Sequence, residues 1–213
     1  MNKRKANRMA GYDYSRDNLY FITSNVEGMI KCLGKVVGKE MELSSYGKIA
    51  ADHFEWLEKQ YLYVVVHEWV VMPDHVHAII EIDRNRINKF GIGANLAGAG
   101  RDLPVSNAVS MADLGNIAGA GRDLPVSRDL PVSRDLPVRE IKIKSLSELV
   151  GAYKMRVSRM IHEAGYSEFK WKRSFHDHII RNYHEFDRIS DYIVNNPIKH
   201  YLKNRQKGNL PGA

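Results

Sequence analysis

Val70-Val71-Met72-Pro73-Asp74-His75-Val76-His77-Ala78-Ile79-Ile80-Glu81-Ile82 is the stretch whose reading decides the fold. From His75 onward it reads as an extended strand, in which alternate side chains point to opposite faces. Val76, Ala78, Ile80 and Ile82 are therefore predicted on a core face, with His75, His77 and Glu81 sharing the other. Pro73 and Asp74 turn the chain tightly into this strand from the apolar run Tyr61 to Met72, predicted as a strand largely buried on both faces. Two imidazoles side by side near a strand end, where a site can open to solvent, are well placed to hold one metal ion. Taken alone the pair is a weak signal, because strand histidines are more often solvated or hydrogen-bonded than ligating.

A chain of 213 residues, 44% hydrophobic and 27% charged, buries one sizeable core. Its 32 Lys and Arg against 25 Asp and Glu give a formal charge of +7, with a pI near 9.4 and a mean hydropathy of -0.41. That balance favours a polyanionic partner, nucleic acid or an anionic membrane surface. The single Cys32 excludes an internal disulfide framework and fits a reducing compartment. The basic N-terminus is not followed by an apolar secretory core, and no stretch is long and apolar enough to cross a bilayer. A cytoplasmic protein is the expectation.

Asn18 to Thr23 has the aromatic and β-branched content of a strand, and Met29 to Val37, with its central Gly34, suggests a hairpin or edge strand. Ser44 or Ser45 caps a predicted helix through about Gln60, with Ile49, Ala50, Phe54 and Leu57 at helical spacing. Strand, hairpin, helix, strand, strand is an α+β pattern with a mainly antiparallel sheet. From about Asp83 the character changes. Ala97 to Ser106 returns at Ala118 to Ser127, and Arg-Asp-Leu-Pro-Val-Ser recurs in tandem from Arg128 to Ser133, with a last copy at Arg134 to Arg139. A unit this short cannot bury its own core, so residues 83–144 are expected to be a disordered insertion between a first part, 1–82, and a second, 145–205, with a tail over 206–213.

Order is predicted to resume at Ser145-Leu146-Ser147-Glu148, a capping box, followed by an apolar stripe from Leu146 to Ile161 that ends at Gly165. Lys154 falls off that stripe, where it can meet a phosphate. Next, cations interleave with aromatics in Phe169-Lys170-Trp171-Lys172-Arg173-Ser174-Phe175-His176-Asp177-His178-Ile179-Ile180-Arg181. Rings offer stacking surface to unpaired bases and cations contact phosphates, which makes Lys154, Lys170, Trp171, Lys172, Arg173, His178 and Arg181 candidate DNA-binding residues. The bland alternative is that Trp171 and Phe175 are merely buried. A last helix is capped by Asn182 and should end near Asn195 or Asn196, ahead of Pro197, leaving a basic tail that frays. Tyr192 and Asn196, four apart, can project from one side.

The histidine pair, the block Trp171 to Arg181 and Asp191-Tyr192-Ile193-Val194-Asn195-Asn196-Pro197-Ile198-Lys199-His200 together resemble the REP-associated tyrosine transposases, a branch of the single-tyrosine HUH transposases that move DNA as single strands. Gly11-Tyr12-Asp13-Tyr14-Ser15 and Val71 to His77 fit the same group, so the resemblance covers about 11–82 and 145–201. It implies a ferredoxin-like HUH palm, an antiparallel sheet of about four or five strands flanked by helices, with the tyrosine helix laid across the metal site. It also implies His75, His77 and Asn196 as metal ligands, Tyr192 as nucleophile, Mg²⁺ or Mn²⁺ as cofactor, and single-stranded or hairpin DNA as partner, handled by a monomer or homodimer.

The chemistry implied is DNA cleavage and joining through a 5′-phosphotyrosine intermediate, since a phenol can displace a 3′-oxygen from a phosphate whose charge is neutralised. One alternative is a catalytically decayed protein that still grips hairpin DNA. Another is a metallohydrolase that uses water, with Glu81 or Asp74 assisting.

The repeat also makes a statement about the gene. Arg-Asp-Leu-Pro-Val-Ser can be written CGA-GAC-CTG-CCC-GTC-TCG, in which CGAGAC and GTCTCG are reverse complements, so the segment from about 91 to 139 is expected to be a translated array of palindromic DNA repeats. The codons decide this: a gene without these inverted repeats excludes it.

Overall fold

Strand β1 (Asn18–Asn25) and strand β5 (His75–Ile82) pair antiparallel along their full length, with Asn25 opposite His75 and Asn18 opposite Ile82. Strand β4 (Val64–Val71) adds to the outer side of β5 and strand β6 (His176–Ile180) to the outer side of β1. The result is a four-stranded antiparallel sheet in the order β4-β5-β1-β6. Helix α1 (Ser45–Gln60) lies between β1 and β4 in the chain, and helix α3 (Leu146–Glu163) between β5 and β6. Setting aside the hairpin of β2 (Gly34–Val37) and β3 (Glu40–Leu43) and the short helix α2 (Asn85–Lys89), strand, helix, strand, strand, helix, strand with these neighbours is the ferredoxin-like arrangement. The α+β class expected from the sequence is the one observed. This computed structural model describes residues 9, 11–89 and 141–206. Residues 1–90 and 143–213 group as one unit, so the two segments flanking the repeat build the sheet together.

The helices begin where the sequence places them. Ser44 stays extended and its hydroxyl accepts the Gly47 N–H at 3.1 Å, satisfying one of the donors that a first turn leaves open. Ser145 and Glu148 form the reciprocal capping box: the Glu148 carboxylate accepts the Ser145 N–H at 2.8 Å and the Ser145 hydroxyl accepts the Glu148 N–H at 3.4 Å. Helices α1 and α3 touch each other, and together with Tyr20, Ile22, Val76, Ala78 and Ile80 of the sheet they supply the main core. Phe54 stacks on Tyr153 with ring centroids 4.6 Å apart, and the buried Tyr153 hydroxyl donates to the Ala50 carbonyl at 2.8 Å. A buried hydroxyl without such an acceptor would be costly.

The histidine face of β5 is not simply a solvent face. Helix α4 (Tyr183–Val194) lies across it, seating Ile189 and Ile193 on Ile79 and Ile180, with Leu19, Phe21, Val70 and Phe186 packed around them. Ile79 therefore shares a face with His75 and His77 and is fully buried, so five consecutive residues from Val76 to Ile80 are buried rather than alternate ones. Strand β4 departs from expectation the other way. It is one edge of the sheet, shorter than Tyr61 to Met72, with Glu68 and Trp69 exposed and a register shift between Val66 and Trp69. An edge strand has one neighbour, and such a bulge twists it away from further pairing.

The basic tail does not fray at Pro197. Asn195 closes α4, and helix α5 (Asn196–Gln206) follows at once with Pro197 in its first turn. Proline suits that position because its missing N–H would have no intrahelical partner there, and its φ is already helical. Of the segment expected to be disordered, Asn85–Lys89 forms α2 and residues 141–144 run into α3, while 90–140 lie outside the described residues, as does 207–213 of the expected tail. Among the described residues no helix is long and apolar enough to cross a membrane.

Gly47 shows how closely the hairpin region seats α1: a Cβ there would stand 1.9 Å from the Leu33 carbonyl oxygen, which itself accepts the Ser44 N–H at 3.0 Å. Gly47→Ala must push α1 off this backbone, and a loss of about 1–3 kcal/mol in chemical denaturation is expected. An unchanged denaturation midpoint would show that the contact yields freely.

Candidate active site

Three pieces of chain meet at one end of the sheet: the last residues of β1, the first of β5, and the junction of α4 with α5. The register sets Thr23 opposite His77, and on its other side opposite His176, so these side chains line one row across three strands. His75 and His77, two apart on β5, hold their ring centroids 4.7 Å from each other.

Each imidazole is fixed by a neighbour. The Asp74 carboxylate accepts from His75 Nδ1 at 2.5 Å. That bond from His75, helped by the charge of His75 and then of Lys31, holds the Asp74 carboxyl below the usual carboxylate range. An ionised carboxylate can only accept, so Nδ1 of His75 carries a proton, and in the neutral ring the lone pair is on Nε2. His77 is 5% exposed, with Nδ1 2.8 Å from the Thr23 hydroxyl and its ring stacked on Phe21. Burial first, and then the charge of His75, push the His77 pKa down to about 3, so the ring is neutral at physiological pH.

Tyr192, from α4, stands edge-on to His77 with ring centroids 5.4 Å apart, and 6.1 Å from Phe21. It is 39% exposed, so its hydroxyl end has a way out to solvent, and the Lys199 ammonium lies 5.1 Å over its ring. Asn196 lies past the Asn195 break, so its spacing from Tyr192 spans a junction between helices rather than one continuous helix. Asn196 is 8% exposed. Among those residues there is no group of three or more His, Cys, Asp and Glu suited to a metal. A cation here would rest on the imidazoles of His75 and His77, whose ring centroids stand 4.7 Å apart.

The carboxylates considered for water activation are engaged elsewhere: Glu81 accepts from His67 Nε2 at 2.7 Å, and Asp74 holds His75. His200, on α5, is near enough to His75 and Asp74 for their charges to act on it, although burial is the main cause of its lowered pKa. Sequence reading missed Thr23, Phe21, Lys199 and His200 as neighbours of the site. Only Lys199 and His200 carried a signal, by closeness in sequence to Tyr192.

The candidate DNA-binding residues divide. Lys170, Lys172, Arg173 and Arg181 are exposed cations. Trp171 is 8% exposed, packed beside Tyr153 and Phe169, and so offers no open stacking platform. Lys154 is also spoken for: its ammonium donates to the carbonyls of Lys172 at 2.6 Å and Arg173 at 3.3 Å, pinning that loop, and burial lowers its pKa. His178 pairs with Glu185 at 2.7 Å. The interleaved pattern thus mixes exposed cations with core aromatics, since half of its alternating positions face inward.

No family model matches the chain. An uncharacterised protein of Haemophilus influenzae is 23% identical over 195 residues, covering 92% of this chain and 88% of its own length. Among solved structures, a REP-associated tyrosine transposase bound to a REP hairpin is similar, with 15% identity, a TM-score of 0.48, and coverage of 99% of this chain and 89% of that one.

The buried imidazole makes a pH prediction. His77 has a folded pKa of about 3 against 6.5 for the free side chain, so between these values the unfolded chain binds more protons than the native one. Stability therefore falls as pH drops from 6.5 toward 3, by about 3 kcal/mol at pH 4. Urea titrations of wild type and His77→Gln at neutral and acid pH should show the variant losing less; equal losses would remove His77 as the cause.

Proposed function

We propose that this chain is a metal-dependent DNA strand transferase of the REP-associated tyrosine transposase type, acting on palindromic single-stranded or hairpin DNA with Tyr192 as nucleophile. The observation that carries the proposal is the meeting of the Tyr192 phenol with the His77 imidazole, delivered by α4 and β5 from opposite parts of the chain. A tyrosine that merely filled the core beside Ile189 and Ile193 would not stand half-open at the edge of a histidine pair.

The side chains present fit a divalent ion. Asp74 takes Nδ1 of His75, which leaves Nε2 as the nitrogen open to a cation, His77 is neutral, and Asn196 is nearly buried just past Tyr192. Mg²⁺ or Mn²⁺ held by His75, His77 and Asn196 would neutralise and orient the scissile phosphate. The chain's own groups do the rest. The Tyr192 oxygen bonds to phosphorus as the bond from phosphorus to the 3′-oxygen breaks; the phenol gives up its proton and the departing 3′-oxygen gains one. The 5′-phosphotyrosine keeps the energy of the cleaved bond. A second strand's 3′-OH reverses the step and restores the phenol, so joining needs no nucleotide cofactor. Exposed Lys170, Lys172, Arg173 and Arg181 supply phosphate contacts along the approach, in keeping with the net charge of +7.

Tyr192→Phe should abolish a covalent protein-DNA adduct on a palindromic oligonucleotide, read by denaturing electrophoresis, while retaining binding. Adduct in the variant would remove Tyr192 from the role. Cleavage by the variant without adduct would point to water as the nucleophile, and binding without adduct by the wild type in Mn²⁺ to a decayed, DNA-gripping protein. Asp74→Asn weakens the acceptor that fixes His75, and calorimetric titration with Mn²⁺ should show affinity lower by about tenfold to a hundredfold. Unchanged affinity would mean His75 needs no such orientation.

A further inference from the structure

Lys199 is a cation that stands against the nucleophile itself: its ammonium lies 5.1 Å over the ring of Tyr192. The fold gives that charge little reason to be there. Lys199 lies in the first turn of α5, where its own N–H donates to the Asn195 carbonyl at 3.0 Å. A helix carries partial positive charge at its N-terminus, so a cation in the first turn is repelled and a carboxylate would be favoured. The turn Asn196-Pro197-Ile198-Lys199 holds no acidic residue. Lys199 is exposed and makes no ion pair among the described residues. Its contact with the aromatic face is weak at an exposed site.

The backbone that carries this charge is held firmly. Asn196 and Pro197 are buried, and α5 follows α4 at once, so the junction that ends the tyrosine helix also brings the ammonium to the phenol. Direction then decides what the ammonium can do. In phosphoryl transfer the attacking and departing oxygens lie roughly in line across phosphorus. The 3′-oxygen therefore departs on the side of the phosphate that faces away from the phenol. Lys199, over the ring of the attacking residue, stands on the side of entry. From there a charge on a flexible stem reaches the non-bridging oxygens and not the departing one.

We propose that Lys199 is a catalytic residue of this site, and the inference rests on the function proposed above. Its ammonium binds a non-bridging oxygen of the scissile phosphate and neutralises the charge that builds there as the phenol oxygen bonds to phosphorus. Lys199 keeps its proton throughout. The phenol proton passes to water, the bond from phosphorus to the 3′-oxygen breaks, and that oxygen takes a proton from water. The same contact serves the return step, in which a 3′-OH attacks the phosphotyrosine through the same five-coordinate arrangement.

The test is the single-turnover rate of covalent adduct on a palindromic oligonucleotide, with Kd for the same DNA measured by fluorescence anisotropy. Lys199→Met keeps an apolar stem over the ring and removes the charge. At saturating DNA it should form adduct about 100-fold or more slowly, the scale of one lost oxyanion donor. Its Kd should stay within about threefold of the wild type, which also shows that it folds. Lys199→Arg restores a cation and should recover most of the lost rate. An oligonucleotide with sulfur in place of the scissile 3′-oxygen releases a thiolate, which departs without a proton, and on it Lys199→Met should trail the wild type by the same factor. Adduct at the wild-type rate in Lys199→Met, a loss confined to Kd, or Lys199→Arg no faster than Lys199→Met overturns the assignment. Recovery of Lys199→Met on the sulfur substrate overturns it too, by making Lys199 the proton donor to the departing oxygen. In each of these the wild type still forms adduct and the strand-transferase reading stands; a wild type that forms none overturns both.

Discussion

The seat of α4 on the sheet is the contact on which the rest depends. Ile189 and Ile193 press on Ile79 and Ile180, and that seat determines where the same turn of α4 holds Tyr192. Burying four such side chains is worth several kcal/mol, since each contributes about 1.5–3 kcal/mol when removed from water. The same contact changes what the histidine face is. A sheet face bearing His75, His77 and Glu81 would be wet if left open; with α4 across it, His77 is almost wholly buried and its imidazole is kept neutral.

Burial and chemistry are therefore coupled through one helix. A neutral imidazole is a lone-pair donor, and the burial that forbids its protonation comes from the helix that also brings the phenol. His75 is treated differently because it begins β5, at the mouth of the site, where Asp74 in the preceding turn can reach its Nδ1. Desolvation keeps His77 neutral, while the carboxylate fixes which nitrogen of His75 carries a proton. The pieces that meet here come from both sides of the repeat-bearing segment, so strands β1 and β5 must be matched by α4 and α5 from the far side for the site to exist at all.

Much of the fold was legible in the residues. The Ser44 cap, the Ser145 and Glu148 capping box and the Asn182 cap are local devices, made within one turn, and each appears where its sequence places it. The alternation in β5 identified the strand and its two faces correctly but left open what covers the second, because periodicity reports which residues share a side and not what is laid over that side. Lys154 and Trp171 show the same limit. A cation and a ring look like a nucleic-acid surface in sequence, yet Lys154 is tied to two carbonyls and Trp171 is packed among Tyr153 and Phe169.

By itself the sequence determined the α+β class, the helix starts, the histidine strand with its preceding turn, and the residues whose pattern pointed to His75, His77, Tyr192 and Asn196. These depend on interactions over a few residues, which the order of side chains along the chain already specifies. Only the tertiary structure decided that Thr23 and Phe21 would flank His77, that β4 would be an edge, that Pro197 would open a helix rather than end one, and that a phenol on α4 would come to rest against an imidazole on β5. Those outcomes follow from sheet register and from the burial of apolar faces between elements remote in sequence, and no local pattern encodes the partner that a face will meet.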